Sequence, residues 1–295
     1  LFRSIIGIHT IQAEIITYPA EVTPGSWLCF RKDISVGKDA SHNLLKIAAD
    51  SKYWLWINGE LIVREGNLKR GPNPKDTYCD ILRDVKGLVS GRNTIALLVW
   101  YFGKDGFSHR NSPTAGVSVD LTIGKQRYIS DDSWKVSIHP SFYIPNGINP
   151  NYRLPESNIG FNAQKEVAFW DKDFDDALWQ DAKVIKKELS GWNQLVERPI
   201  PMWKDYGLKD YVKVERKSDT LFVAYLPYNA QVNPYIKLKA KVGEIIDIRT
   251  DNYCGGGTPN VYAEYITKNG IQEFEAWGWM NGHQVLYTIP KDVEE

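Results

Sequence analysis

The chain has 295 residues, 43% of them hydrophobic and 24% charged, with 36 Lys+Arg set against 36 Asp+Glu. That length accommodates two domains, each with its own core, and the composition excludes a disordered chain. A formal net charge of zero, with no local basic run, excludes the electrostatic footprint of a nucleic-acid or anionic-membrane binder.

The aromatic content is more informative: 11 Trp, 16 Tyr and 10 Phe against 2 Met. Trp and Tyr favour strands, and their flat faces stack on the apolar faces of sugar rings, although most of them are expected simply to fill sandwich cores. Cys29, Cys79 and Cys254 are scattered and show no zinc spacing; three buried thiols are the expectation, with one bridge as the alternative. No run of 18 apolar residues exists, so no membrane span is expected. Leu1 is not a natural start, and the chain opens inside a strand-like run from Ile5 to Ile16, so an upstream segment is expected.

Short alternating runs broken by Gly, Pro, Asn and Asp dominate, the texture of antiparallel sandwiches. Leu44 to Asp50 reads as a strand and Lys52 to Ile57 as the next. The Asn58-Gly59 pair supplies the positive φ angles of a type I′ turn, so Leu61 to Arg64 should pair straight back. Along the second of these strands Trp54 and Trp56 share one face, opposite Tyr53, Leu55 and Ile57. One set faces the core; the other is a stacking platform or is covered by a neighbouring domain. Asp84 to Leu88 reads as a short helical turn, followed by a tight reversal at Ser90-Gly91-Arg92-Asn93 and an apolar strand from Thr94 to Trp100.

The segment Tyr101 to Asn111 is too long for a hairpin turn and mixes aromatic faces with His, Arg and Asn, groups that stack on and hydrogen-bond to sugars. Tyr101, Phe107, His109, Arg110 and Asn111 are the carbohydrate-contact candidates; packing between domains is the alternative. Gly116 to Ile123 and Gln126 to Ser130 form a hairpin, and the first sandwich closes near residue 140.

Residues 141–201 read as a connector, with Pro145, Pro150, Pro155, Pro199 and Pro201 and the acidic run Asp171-Lys172-Asp173-Phe174-Asp175-Asp176. An acidic loop can bind calcium, but the spacing is not that of an EF-hand, and Phe174 and Trp179 read as docking anchors; no metal site or cofactor is assigned. A second strand-rich unit, spanning 202–295 with its strands starting near Tyr211, contains alternating runs Tyr235 to Lys241, Glu244 to Thr250 and Val261 to Thr267. Gly255-Gly256-Gly257 leads into no helix, so it lacks the context of a phosphate-binding loop.

Several motifs together carry a family likeness. The order Trp27…Phe30-Arg31-Lys32, then Ala49-Asp50-Ser51-Lys52-Tyr53…Ile57-Asn58-Gly59, Arg70-Gly71-Pro72 and Gly87-Leu88…Gly91-Arg92-Asn93-Thr94-Ile95-Ala96 resembles the N-terminal sandwich of bacterial α-L-rhamnosidases. Phe174-Asp175-Asp176…Trp179 and Arg198-Pro199-Ile200-Pro201 resemble the linker between their sandwiches, and Trp279-Met280-Asn281-Gly282-His283 the closing strand before their catalytic domain. The resemblance implies an all-β chain of two tandem antiparallel β-sandwich domains, galactose-binding-like or jelly-roll, that are not catalytic. It implies a following (α/α)6 barrel, expected to be missing beyond Glu295, whose two well-separated carboxyl groups perform inverting hydrolysis. It also implies a periplasmic or secreted bacterial protein with carbohydrate and that barrel as partners.

His283, Asn281, Trp277 and Trp279 are candidates for a pocket wall at the barrel interface, as is Asp251 within Asp251-Asn252-Tyr253. Strand alternation would put Trp277 and Trp279 on one side and Met280 on the other, next to an exposed apolar patch. Three functions follow from these readings: a non-catalytic part of a rhamnosidase-like glycoside hydrolase, an independent lectin-like carbohydrate-binding protein, and a complete hydrolase. The third would need a carboxylate pair, and Glu264, Glu273 and Glu275 lie close in sequence without a fixed partner opposite them.

Overall fold

The structure is a computed structural model that describes residues 13–38, 40–68, 76–107, 109–146, 154–252, 254–255 and 258–293. Most of the Ile5 to Ile16 run, Arg70-Gly71-Pro72, Pro150, Tyr253 and Gly256-Gly257 lie outside the described residues. Strand accounts for 50% of the described residues and helix for 3%, as the alternating texture requires.

The first ten strands follow one another directly. They are β1 (Ile15–Thr17), β2 (Trp27–Val36), β3 (Asn43–Ala49), β4 (Lys52–Ile57), β5 (Glu60–Gly66), β6 (Thr77–Arg83), β7 (Gly91–Trp100), β8 (Gly116–Ile123), β9 (Gln126–Ile129) and β10 (Lys135–Ile138). Next come β11 (Phe142–Tyr143), β12 (Ile159–Asn162), β13 (Gln180–Asp181), β14 (Lys183–Ile185) and β15 (Leu195–Glu197). The remainder are β16 (Lys213–Arg216), β17 (Leu221–Val232), β18 (Tyr235–Ala240), β19 (Ile245–Thr250), β20 (Cys254–Gly255), β21 (Thr258–Pro259), β22 (Tyr262–Ile266), β23 (Gly270–Glu275) and β24 (Met280–Thr288).

Two compact units result: Leu1–His139 with Ala168–Asp205, and Pro140–Val167 with Tyr206–Glu295. The stretch 141–201 expected to be a connector is therefore divided between them and built into their sheets. In the first unit β13 and β14 extend the two sheets at their edges, and β15 runs parallel to β6. In the second unit β11 and β12 form one edge, with β12 parallel to β22. Both parallel pairings in otherwise antiparallel sheets come from this stretch, because a segment arriving from elsewhere in the chain caps an edge whose N–H and C=O groups need partners.

In the first unit a seven-stranded sheet in the order β14-β1-β8-β3-β6-β15, with β9 on β8, faces a six-stranded sheet in the order β13-β10-β2-β7-β4-β5. Between them Phe30, Leu55, Leu97 and Val99 meet Leu45, Ile47, Val119 and Leu121, all buried. The Asn58-Gly59 hairpin forms as expected, with φ of 52° and 85° and Ile57 paired with Glu60. Its asparagine also joins a second turn: Asn58 accepts from the Thr94 N–H (2.9 Å) and donates to the Gly87 carbonyl (2.8 Å) and to Asn93 Oδ1 (2.9 Å). Asn93 in turn donates to the carbonyls of Val89 and Gly91. The helical turn expected at Asp84 to Leu88 is absent, since Asp84 has φ of 50° and the Asn43 side chain pairs with both Val85 N–H and C=O in place of a helical turn. Cys29 and Cys79 are buried thiols, but Cys254 is exposed, and none is bridged.

The second unit packs a seven-stranded sheet, β11-β12-β22-β19-β24-β17-β16, over the two-stranded β18-β23. Ile246, Ile248, Tyr265 and Val285 from the large sheet meet Leu238, Ala240 and Phe274 from the hairpin. The 12-residue β17 is its longest strand and escaped sequence reading because Pro227 and Asn229 interrupt its alternation.

His139, 3% exposed at the end of β10, lies edge-on to Phe169, and burial lowers its pKa from 6.5 to about 4. The unfolded chain therefore takes up this proton at higher pH than the folded one, so stability present above pH 6.5 is lost as pH falls towards 4. The contribution is roughly 3 kcal/mol. In urea titrations at about pH 7 and about pH 4.5, His139→Gln should show a smaller drop in midpoint than the parent chain.

Candidate functional site

The Tyr101 to Asn111 loop closes on a buried carboxylate. Asp50, 0% exposed, accepts from Ser51 Oγ (2.8 Å), from the Ser112 N–H (3.0 Å) and from Ser112 Oγ, while Trp192 Nε1 donates to the same Ser112 hydroxyl (3.1 Å). His109 is buried with Nε2 3.9 Å from Asp50 and its ring edge-on to Phe102. Tyr101 is buried too, donating to the Ser112 carbonyl (2.9 Å), and burial raises its pKa. Asn111 donates to Tyr101 Oη (3.2 Å) and to the Ser112 carbonyl (2.6 Å). Asp105 then closes the loop by accepting from the Asn111 N–H (2.8 Å) and Arg110 (2.9 Å), bonds that hold its carboxyl below the ordinary value. Of the five carbohydrate-contact candidates only Phe107, 72% exposed, and Arg110 reach solvent freely; Ser108 lies outside the described residues.

A second set of residues covers the outer face of the six-stranded sheet. Arg31, 1% exposed, donates from Nε to Asp176 (2.9 Å) and from its terminal nitrogens to the carbonyls of Phe169, Asp171 (2.9 Å) and Phe174 (3.3 Å). Its guanidinium also lies 5.3 Å from the Phe174 ring centroid. Arg92 holds the same run through the Lys172 carbonyl (2.9 Å). The acidic run is thus docked by arginines, and among the described residues no group of three or more His, Cys, Asp or Glu side chains is placed to hold a metal ion. Docking brings Trp170 into a stack on Trp56 (5.6 Å) and Phe169 edge-on to it (5.5 Å). Trp27, sandwiched by Trp54 (5.4 Å) and Trp100 (4.6 Å), continues the layer. Tyr53, Leu55 and Ile57 face the core, so the Trp54–Trp56 face is covered within the same unit, Trp54 by Trp27 and Trp56 by Phe169 and Trp170 of the 168–179 segment. Arg198, from the Arg-Pro-Ile-Pro motif, is anchored likewise, 2.6 Å from buried Asp80, which also accepts from Tyr53 Oη (2.9 Å).

In the second unit the structure brings Asp251, Asn281 and His283 together. Asp251 Oδ1 accepts from the N–H groups of His283 (2.7 Å) and Gln284 (3.1 Å), and Oδ2 lies 3.7 Å from His283 Nδ1. Asn252, which the sequence singled out only as part of Asp251-Asn252-Tyr253, donates to Asn281 Oδ1. Gly282 permits this approach: a Cβ there would sit 2.5 Å from Asp251 Oδ1. Trp277 and Trp279 are half-buried, and Trp277 packs edge-on to Phe142 (6.0 Å) and against the core. The expected alternation of Trp277 and Trp279 against Met280 does not apply, because β24 begins only at Met280, which is buried.

The carboxylates near Glu264 are separated. Glu264 accepts from Tyr143 Oη (2.5 Å), which together with burial raises the Tyr143 pKa, whereas Glu273 sits on the opposite sheet and pairs with Lys237 (2.9 Å).

No protein-family model and no curated protein matches the chain. Solved structures do. The α-L-rhamnosidase of Dictyoglumus thermophilum superposes with a TM-score of 0.71 at 19% identity, over 96% of this chain and 35% of its own. A GH78 family rhamnosidase of Bacillus sp. GL1 gives 0.80 at 14% identity, over 97% and 54%. The α-L-rhamnosidase of Streptomyces avermitilis, solved in complex with L-rhamnose, gives 0.69 at 16% identity, over 92% and 28%. The chain has the fold of a segment of the α-L-rhamnosidases. It spans between 28% and 54% of the length of these three rhamnosidases.

Replacing Arg31 by Met should destabilise the first unit by about 3 kcal/mol, the lower end for a broken buried pair because Asp176 remains partly hydrated. Limited proteolysis should then cut within 168–179 in Arg31→Met and spare it in the parent chain.

Proposed function

We propose that the chain is a non-catalytic portion of an α-L-rhamnosidase-like glycoside hydrolase, serving as scaffold and presenting a carbohydrate-binding surface to rhamnose-containing glycans. The observation that carries this reading is the asymmetry of coverage: more than nine-tenths of the chain superposes on rhamnosidases, yet it spans at most 54% of the three compared. The burial of the charges within the resembling motifs agrees with it. Asp50, Asp80 and Arg31 are 0–2% exposed and bind the protein's own backbone and side chains, so they hold the fold and are not available to a reacting glycoside.

Inverting hydrolysis needs one carboxylic acid and one carboxylate facing each other across the glycosidic bond with room for a water. Glu264 and Glu273 do not provide this, being on opposite sheets with Tyr143 and Lys237 as partners. Acid and base then belong to another domain of the complete enzyme, and the periplasm or the exterior of a bacterium is its place of work. The purified 295-residue chain should hydrolyse no aryl α-L-rhamnoside above the uncatalysed rate. Turnover that disappears when Glu264 or another of its carboxylates is replaced would overturn the reading.

A further inference from the structure

The sheet of the second unit contains an interruption that its core does not need. Tyr225 pairs with Gln284 and Ala230 pairs with Gly282 across the β17–β24 ladder. Between these pairs β17 carries Leu226, Pro227, Tyr228 and Asn229, whereas β24 carries only His283. The surplus is pushed out of the sheet. Leu226 packs back on the core, but Pro227 and Asn229 are exposed and Tyr228 is 70% exposed. A slip of this kind twists a strand locally and re-aims its side chains, and such bulges concentrate beside binding sites. The bulge thus leaves the Tyr228 ring largely in water, outside the core cluster.

The residue opposite the bulge belongs to the polar cluster already described. Asp251 is fixed by two backbone N–H groups on Oδ1, with Oδ2 turned towards His283 at 3.7 Å, beyond hydrogen-bond length. The His283 side chain is 61% exposed. The amides of Asn252 and Asn281 orient each other, and Asn281 Nδ2 also reaches the Ala230 carbonyl at the end of the bulge (3.4 Å). A carboxylate, an imidazole and paired amides, facing a strand bulge that carries an exposed aromatic ring, are the groups that hydrogen-bond to a pyranose's hydroxyls and stack on its ring.

We propose that Tyr228, Asp251, Asn252, Asn281 and His283 form a carbohydrate subsite on the second unit that takes a pyranose with vicinal hydroxyl groups. This rests on the carbohydrate-directed role given above and gives that role a location. Tyr228 supplies the stacking face, Asp251 Oδ2 and His283 the bonds to adjacent hydroxyls, and Asn281 ties the bulge to them. The exposed Phe107 of the first unit is not part of it.

Titration calorimetry of the full chain with L-rhamnose and with methyl α-L-rhamnoside tests the assignment. Tyr228→Ala and His283→Ala alter exposed side chains, so both should keep the parent thermal transition while each raises Kd about tenfold or more. Phe107→Ala should leave Kd unchanged. Equal affinity in parent, Tyr228→Ala and His283→Ala overturns the subsite, as does a loss confined to Phe107→Ala, which would move binding to the first unit. Absence of any binding up to about 50 mM sugar also overturns it. The turnover assay reads the wider role separately: no binding together with no turnover removes the subsite alone, whereas hydrolysis by this chain removes the scaffold reading whatever the sugar affinity.

Discussion

A guanidinium buried on the outer face of a β-sheet determines how the first unit is finished. Arg31 points away from the sandwich core, where its alternating neighbours Leu28 and Phe30 lie. Left there alone it would be a desolvated charge with unmet donors, which costs several kcal/mol. The chain meets the cost with residues about 140 positions later: one carboxylate and three backbone carbonyls of the 169–176 segment. Holding that segment also holds Phe169 and Trp170 against Trp56, so one charge network places an aromatic layer over a face that would otherwise be a large apolar surface.

The same economy explains the loop over Trp100. Asp50 is buried, and its oxygens accept from the adjacent Ser51 and from Ser112 at the end of the excursion. The loop is therefore a clamp in which Tyr101 and His109 are part of the packing, while Lys104, Asp105 and Arg110 face solvent. In the second unit the arrangement is reversed. Asp251 spends one oxygen on the backbone of β24 and keeps the other at the surface beside His283, where the facing strand is bulged. Buried carboxylates hold the first unit together, whereas in the second a partly exposed one stands beside an exposed imidazole.

The motifs that resemble α-L-rhamnosidases fall largely on these inward networks. Phe30-Arg31-Lys32 and Phe174-Asp175-Asp176 meet at one ion pair, Asn58-Gly59 and Gly91-Arg92-Asn93 share hydrogen bonds, and Arg198 closes on Asp80.

The sequence by itself determined the all-β class, the Asn-Gly hairpin, the partition of Tyr53, Leu55 and Ile57 from Trp54 and Trp56, and most strand positions, because two-residue periodicity and turn chemistry are local. It also picked out Asp251, Asn281 and His283, although not their company. Only the tertiary structure decided that short strands within residues 141–201 complete sheet edges, that Asp84 turns left-handed against Asn43, that Trp277 and Trp279 precede β24, and that Tyr228 lies in a bulge across from His283. Each of these depends on a partner 30 or more positions away or on a slip between two paired strands, and a single strand's pattern contains no term for its neighbour's register.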